Sequence, residues 1–174
     1  MIENNWITLV KPNKVDYKIS DNKKFGTVVI EPLEKGFGTT LGNALRRVLL
    51  SSLQGTAISS IKINGVLHEF STIEGVREDV TDIIMNLKNV TFNSKSSHSQ
   101  KLSLNVKGPK EVLSSDFEDN PEVEIVDKDA VIMNVDSNRE VNLEIFLDVS
   151  KGYVSAEKNK DNENKSVGQI MLDA

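Results

Sequence analysis

Gly36-Phe37-Gly38-Thr39-Thr40-Leu41-Gly42 runs into a segment of helical periodicity, an arrangement that could do anion chemistry. A glycine turn that opens a helix lets backbone N–H groups converge on a phosphate at the positive end of the helix dipole. The spacing fails for the two common forms of that chemistry. A dinucleotide loop needs its third glycine where Leu41 stands, and a nucleoside-triphosphate loop needs Lys-Ser/Thr where this chain has Asn43-Ala44. The turn reads instead as a tight bend that lets the helix pack closely. Arg46 and Arg47 could grip nucleic-acid phosphate, but no aromatic interleaving or long basic stripe accompanies them. Glu78, Asp79 and Asp82 lack the alternating oxygen ligands and the glycine of a calcium loop, and read as a solvated or partner-facing surface. His68 and Glu69, adjacent on an expected strand, point to opposite faces, and His98 lies in a serine-rich tip. No nucleophile, base and orienting group can be named together, so catalysis by this chain alone is not expected.

Composition narrows the class. The 174 residues are 38% hydrophobic and 27% charged, the balance of a globular chain large enough for one domain or two small ones. A net charge of −5 disfavours the whole chain as a nucleic-acid binder, although lysines and arginines gather in the first third and acids between Glu111 and Asp129. The absence of cysteine excludes disulfides, thiolate metal sites and a cysteine nucleophile. No apolar run approaches the roughly 20 residues that span a bilayer, and the start MIENNW lacks the basic-then-apolar order of a signal peptide. A soluble cytoplasmic protein is expected.

The elements that must position these residues follow from periodicity. Trp6, Thr8 and Val10, then Val15, Tyr17 and Ile19, alternate as extended chain with a bend at Lys11-Pro12-Asn13, and Thr27 to Ile30 is a further strand closed by Pro32. A helix is predicted over Thr40 to Leu53, with Thr39 as its cap and Gly55 as its stop. Ala57 to Ile63, the turn Asn64-Gly65 and Val66 to Phe70 read as a hairpin. A second helix is expected at Val76 to Lys88, with Val80, Ile83, Ile84 and Leu87 as core stripe and Glu78, Asp79, Asp82 and Asn86 outside. The polar run Asn93 to Gln100 reads as a hairpin tip, followed by strands around Leu102 to Val106, Val123 to Val126, Val131 to Val135 and Val141 to Leu147. Tyr153-Val154, a hydrophilic loop from Glu157 to Lys165 and a terminal strand from Val167 to Leu172 complete the chain. Two principal helices among many strands predict an α+β fold with mostly antiparallel sheets.

On the first helix, Leu41, Ala44, Leu45, Val48, Leu49 and Ser52 share one face, while Asn43, Arg46, Arg47 and Leu50 share the other. A leucine bracketed by two arginines on a rigid element has the composition of a protein interface, where arginine is enriched and lysine depleted.

The run from Glu31 to Ser52, EPLEKGFGTTLGNALRRVLLSS, closely resembles the hallmark segment of the bacterial DNA-directed RNA polymerase alpha subunit. Gly65 to Ser71, Glu74 to Val80, Asn86-Leu87-Lys88, Gly152-Tyr153-Val154 and Val167 to Ile170 resemble later blocks of that family in the same order. The resemblance implies a dimerisation subdomain with a second, strand-rich subdomain inserted into it. On this chain the first would be residues 1–54 and the insert 55–170, with 171–174 beginning the return to the first. It also implies an assembly scaffold: a homodimer with a second alpha chain that receives the beta and then the beta-prime subunit for DNA-templated RNA synthesis from ribonucleoside triphosphates.

Carried over by position, Gly36, Gly38, Asn43, Arg46, Arg47 and Leu50 would form the beta-subunit interface and dimer helix. Leu41, Leu45 and Leu49 would be the dimer core stripe, and Asp82 and Lys88 would lie on the helix turned toward beta-prime. No cofactor is expected in this chain, since the catalytic magnesium of such polymerases belongs to beta-prime. Neither DNA nor a membrane is expected as a direct partner. In the family, further strands, a second dimerisation helix and a DNA-binding domain follow the segment matching Gln169 to Ala174. A truncated chain is therefore expected to leave Leu41, Leu45 and Leu49 partly uncovered, at about 1.5–3 kcal/mol per large side chain, and to be marginally stable or prone to aggregate. A stand-alone protein-interaction module is the alternative reading.

Overall fold

The computed structural model describes residues 7–21, 25–136, 138–160 and 168–174, and the chain divides into two compact units, Met1–Leu50 and Ser51–Ala174. The fold is α+β with antiparallel strand pairing throughout the named strands.

In the first unit, β1 (Lys14–Ile19) and β2 (Gly26–Glu31) pair in register from Lys14↔Glu31 to Ile19↔Gly26. Val15, Tyr17, Ile19 and Val28 remain exposed on this two-stranded ribbon. Ile7 and Thr8 are helical rather than extended, and the expected strand residue Trp6 lies outside the described residues. Helix α1 spans Phe37–Ser52 and begins three residues before the predicted Thr40. The reason is local. Gly36 adopts φ 90°, its carbonyl accepts from Thr40 N–H at 3.4 Å, and the Phe37 N–H donates to Glu34 O at 3.0 Å. Thr39 thus sits inside the first turn instead of capping it, and of the three glycines in the motif only Gly36 has positive φ.

The second unit is built on β3 (Gln54–Ile63), which runs antiparallel to the twelve-residue β9 (Glu140–Lys151) over nearly its whole length. Gly55, expected to stop the helix, lies within β3. The sheet order is β5 (Gln100–Lys107), β9, β3, β4 (Phe92–Ser94), β7 (Val123–Ile125), with β10 (Ile170–Met171) also on β3. A bulge between Ile58 and Ser60 resets the alternation of β3, so that Ile58, Ile61 and Ile63 face Leu147, Ile145 and Leu143, which alternate regularly on β9. Leu102 and Leu104 continue two of these rows onto β5. The result is a three-strand apolar face in which Ile61, Leu104, Leu143 and Ile145 are fully buried.

Asn64-Gly65 does make a turn, with Gly65 at φ 82°, but Val66 to Phe70 do not return as a strand. The hydrogen-bonding edge that such a strand would need is taken by the distant β9, and Asn64 N–H itself donates to Asn142 O at 3.1 Å. Leu67 and Phe70 consequently project into solvent, 77% and 82% exposed. Asn93 to Gln100 is likewise not a hairpin tip: β4 and β5 are separated in the sheet by β3 and β9.

Helix α2 spans Val80–Lys88 and buries the predicted stripe Val80, Ile83, Ile84 and Leu87 against β3 and β8 (Val131–Val135). It starts four residues later than predicted because Val76 to Glu78 are committed to β8. Val76 bridges Val135, Arg77 N–H donates to Asn134 O, and the Glu78 carboxylate accepts from Asn134 N–H at 2.6 Å and Nδ2–H at 2.7 Å. Asp79 is the N-cap, accepting from Asp82 N–H at 2.7 Å, and Asn86 donates to Ile132 O at 2.9 Å. Of the expected acidic outer face, Asp82 alone is an exposed helical acid, since Glu78 and Asp79 precede the helix and Asn86 is half-buried.

Strand β6 (Lys110–Leu113), paired with β8, a 3-10 turn at Ser114–Asp116 and the short helix α3 (Ala156–Lys160) were not legible from periodicity. The predicted terminal strand is confined to Ile170–Met171, and its Val167 lies outside the described residues, as do residues 161–165 of the predicted hydrophilic loop.

Burial pushes the Glu78 carboxyl up, but the two hydrogen bonds from Asn134, with backbone and Arg77 contributions, outweigh it and hold the group below its ordinary value. A depressed folded-state pKa stabilises the fold above the unfolded-state value and loses that contribution as pH falls through the folded-state value. Glu78→Ala is expected to cost about 1–3 kcal/mol near neutrality by orphaning the Asn134 donors. In denaturant titrations the difference between wild type and variant should shrink as the pH is lowered through the acid range.

Candidate protein-interaction surfaces

Helix α1 carries Gly38, Leu41, Asn43, Leu45, Arg46, Arg47, Leu49 and Leu50 on one rigid element, with Gly36 immediately before it. None of its sixteen residues is buried. Leu41 is half-buried, whereas Leu45, Val48, Leu49 and Leu50 are 47%, 54%, 57% and 63% exposed. An ordinary amphipathic helix turns one apolar stripe to its own core. Here the stripe of Leu45 and Leu49 and the opposite face of Arg46, Arg47 and Leu50 both remain at the surface. Scattered single leucines would be unremarkable, but adjacent exposed leucines and valine on one helix form a patch of the kind that marks an interaction site.

Asp82 and Lys88 sit on α2 in the second unit, both exposed. Asp82 lies in the first turn and Lys88 in the last, each complementing the helix dipole at its own end. Met85, between them on the same helix, is 60% exposed. Lys88 Nζ pairs with Asp173 Oδ1, a partner 85 residues away that local pattern could not reveal. Leu67 and Phe70 form a second apolar projection of this unit beside the start of α2, where Thr81 Oγ1–H donates to Glu69 O at 2.9 Å and Val80 N–H to Ser71 O at 3.1 Å. Sequence reasoning missed them by assigning them to a strand, although an apolar pair flanking His68-Glu69 after an Asn-Gly turn was the available signal.

Two of the groups considered for chemistry are accounted for differently. His68 Nδ1 lies 3.1 Å from Ser71 Oγ in an irregular loop rather than on a strand, and His98 N–H donates to Ser96 Oγ at 3.2 Å. Among the described residues no group of three or more histidines, cysteines or acids is placed to hold a metal ion. A cleft of about 400 Å³ beside β7 is lined by Lys95, Ser115, Glu118, Asp119, Asn120 and Lys128 among others. Two of its polar side chains serve the fold: Glu118 accepts from Asn105 Nδ2–H at 3.2 Å and Asn120 Nδ2–H donates to Lys101 O at 3.4 Å. No helix among the described residues is long and apolar enough to cross a membrane. Comparison with protein families supplies the remaining finding: the model of the RNA polymerase Rpb3/RpoA insert domain matches residues 61–174.

Proposed function

The chain belongs to the RNA polymerase Rpb3/RpoA insert domain family, and from that premise we propose that it acts as a bacterial-type alpha subunit. In this reading it is the scaffold on which DNA-directed RNA polymerase assembles. The match over residues 61–174 carries the proposal, and the motif from Glu31 to Ser52 on an exposed helix extends it to the first unit. Two copies would join through Leu41, Leu45 and Leu49 of α1. The dimer would then receive beta on the face of Gly36, Gly38, Asn43, Arg46, Arg47 and Leu50, and beta-prime on the side of Asp82 and Lys88.

The subdomain scheme of 1–54 and 55–170 is part of the same proposal, as is a cytoplasmic site of action. Nucleotidyl transfer belongs, in this reading, to the assembled complex. Its magnesium would be held by beta-prime, and this chain would contribute neither catalytic residues nor a direct DNA contact.

Arginine at the centre of a desolvated interface patch is a frequent source of large losses on truncation. Arg47→Ala is therefore expected to weaken capture of purified beta subunit about tenfold or more, read by titrated pull-down with circular dichroism to verify the helix. No capture by the wild-type chain would overturn the scaffold reading. Capture that Arg47→Ala leaves unchanged would remove that arginine from the interface.

A further inference from the structure

The chain holds one Asn-Gly pair, Asn64-Gly65, in the turn directly after β3. Both residues are exposed, yet they are set between two buried side chains, Ile63 and Val66. Two backbone hydrogen bonds hold the turn: Val66 N–H donates to Ile63 O and Asn64 N–H to Asn142 O, both at 3.1 Å. Neither bond uses the Gly65 N–H or the Asn64 carboxamide, and among the described residues neither of these groups has a hydrogen-bond partner. Gly65 takes φ 82°, and the space where a Cβ would stand has no atom within 4 Å.

These features suit one covalent reaction. An asparagine carboxamide is an electrophile, and the main-chain nitrogen of the next residue can close a cyclic imide on it. A following side chain hinders that approach, and glycine has none. The Gly65 nitrogen gives its proton to hydroxide and forms a bond to Asn64 Cγ, while the Cγ–Nδ2 bond breaks and ammonia leaves. Water then opens the imide. Attack at Cγ restores the main chain with aspartate at the position. Attack at the Asn64 main-chain carbonyl gives isoaspartate, in which the chain runs through Cβ and Cγ. Asn93-Ser94, the one Asn-Ser pair, is the nearest competitor, but its nucleophile is engaged: Ser94 N–H on β4 donates to Thr56 Oγ1 at 3.1 Å.

We propose that Asn64-Gly65 is a site of spontaneous modification, converting in the folded chain to aspartate and isoaspartate at a rate governed by opening of its turn. Ring closure needs rotation about the Asn64 Cα–C bond. The hydrogen bonds to Asn142 O and Ile63 O lie on either side of that bond and oppose the rotation. Both products add a negative charge at the turn. The isoaspartate form also carries one more main-chain atom between Ile63 and Val66, which breaks the fit of the Val66-to-Ile63 hydrogen bond and loosens the seat of Val66 in the core.

The test is incubation of the full chain at mildly alkaline pH, with peptide mass spectrometry that resolves isoaspartate from aspartate. Asn64 is expected to convert ahead of every other asparagine, and faster as the pH is raised. Conversion in the folded chain should be about tenfold or more slower than in urea, because two hydrogen bonds must break first. Asn64→Gln, which would have to close a larger ring, should abolish conversion at the site with the circular dichroism spectrum unchanged. Gly65→Ala should slow it in urea, where the strain of alanine at positive φ plays no part. The isoaspartate form, separated by ion exchange, should show faster amide exchange at Val66 than the untreated chain. Conversion of Asn93 or any other asparagine ahead of Asn64 in the folded chain would overturn the site. Equal rates in the folded chain and in urea would overturn control by the turn, and unchanged exchange at Val66 in the isoaspartate form would overturn the consequence for the core.

Discussion

Leu143→Ala is expected to destabilise the second unit by about 2–5 kcal/mol, the range for emptying a leucine site in a packed core. Leu143 is fully buried in the first third of β9, with Ile63 opposite it on β3 and Leu104 opposite it on β5. Both neighbours belong to strands fixed along long registers, so the surrounding walls have little freedom to collapse into the space. The loss combines the transfer free energy of the removed methyl groups with the contacts forfeited around the cavity. Urea titration followed by far-ultraviolet circular dichroism should give a lower midpoint with an unchanged slope for the transition of this unit. Met85→Ala on α2, at a side chain 60% exposed, is the control, and its effect should stay within about 0.5 kcal/mol. Equal effects at the two positions would contradict the placement of the core along β3, β9 and β5.

Replacing both Leu45 and Leu49 by glutamate is expected to abolish the proposed homodimer. Each leucine is about half-exposed on α1, so neither supports the fold of an isolated chain to the extent that a core leucine would. Buried against a second copy, each would contribute about 1.5–3 kcal/mol, and a charge in its place would have to be desolvated as well. The pair should therefore weaken association by a factor of about 100 or more. Sedimentation equilibrium over a concentration series reads this directly. Helix content should change little, because the substituted side chains face outward and glutamate is a good helix former. An unaltered association constant would remove this stripe from the dimer contact, and loss of helicity would instead mean that the stripe serves the first unit itself.

How much of this was legible in the chain depends on how local the determining forces are. The stripe Val80, Ile83, Ile84 and Leu87 was readable because helical burial repeats within a single element. The same period on α1 identified which residues share a face, but it could not distinguish an internal core from an external partner, and in the structure the whole helix is unburied. Strand identity along β5 and β9 was evident from alternation, and along β3 and β8 from short runs rich in Ile and Val. Strand pairing was not. Asn64-Gly65 is a sound hairpin signal, yet β3 finds its long partner in β9, some 80 residues on, because the alternating row Leu143, Ile145 and Leu147 offers more apolar surface than Val66 to Phe70.

Element ends failed where side chains do non-helical work. Glu78 looked helical until its carboxylate was seen to hold Asn134, and Gly55 looked like a stop although α1 leads almost directly into β3. Of the residues proposed for partner contact, Arg47 and Leu50 were nameable from type and spacing, whereas Asp82 and Lys88 came from the family resemblance. The Asp173 partner of Lys88 was not nameable, since it lies 85 residues away in the chain.

The scaffold proposal is tested most directly by the mass of the complex formed when this chain is coexpressed with beta, purified through a tag on beta and measured by native mass spectrometry. The predicted species holds two copies of the 174-residue chain for each beta subunit. Beta recovered without this chain, or bound to a single copy at all concentrations, would contradict it.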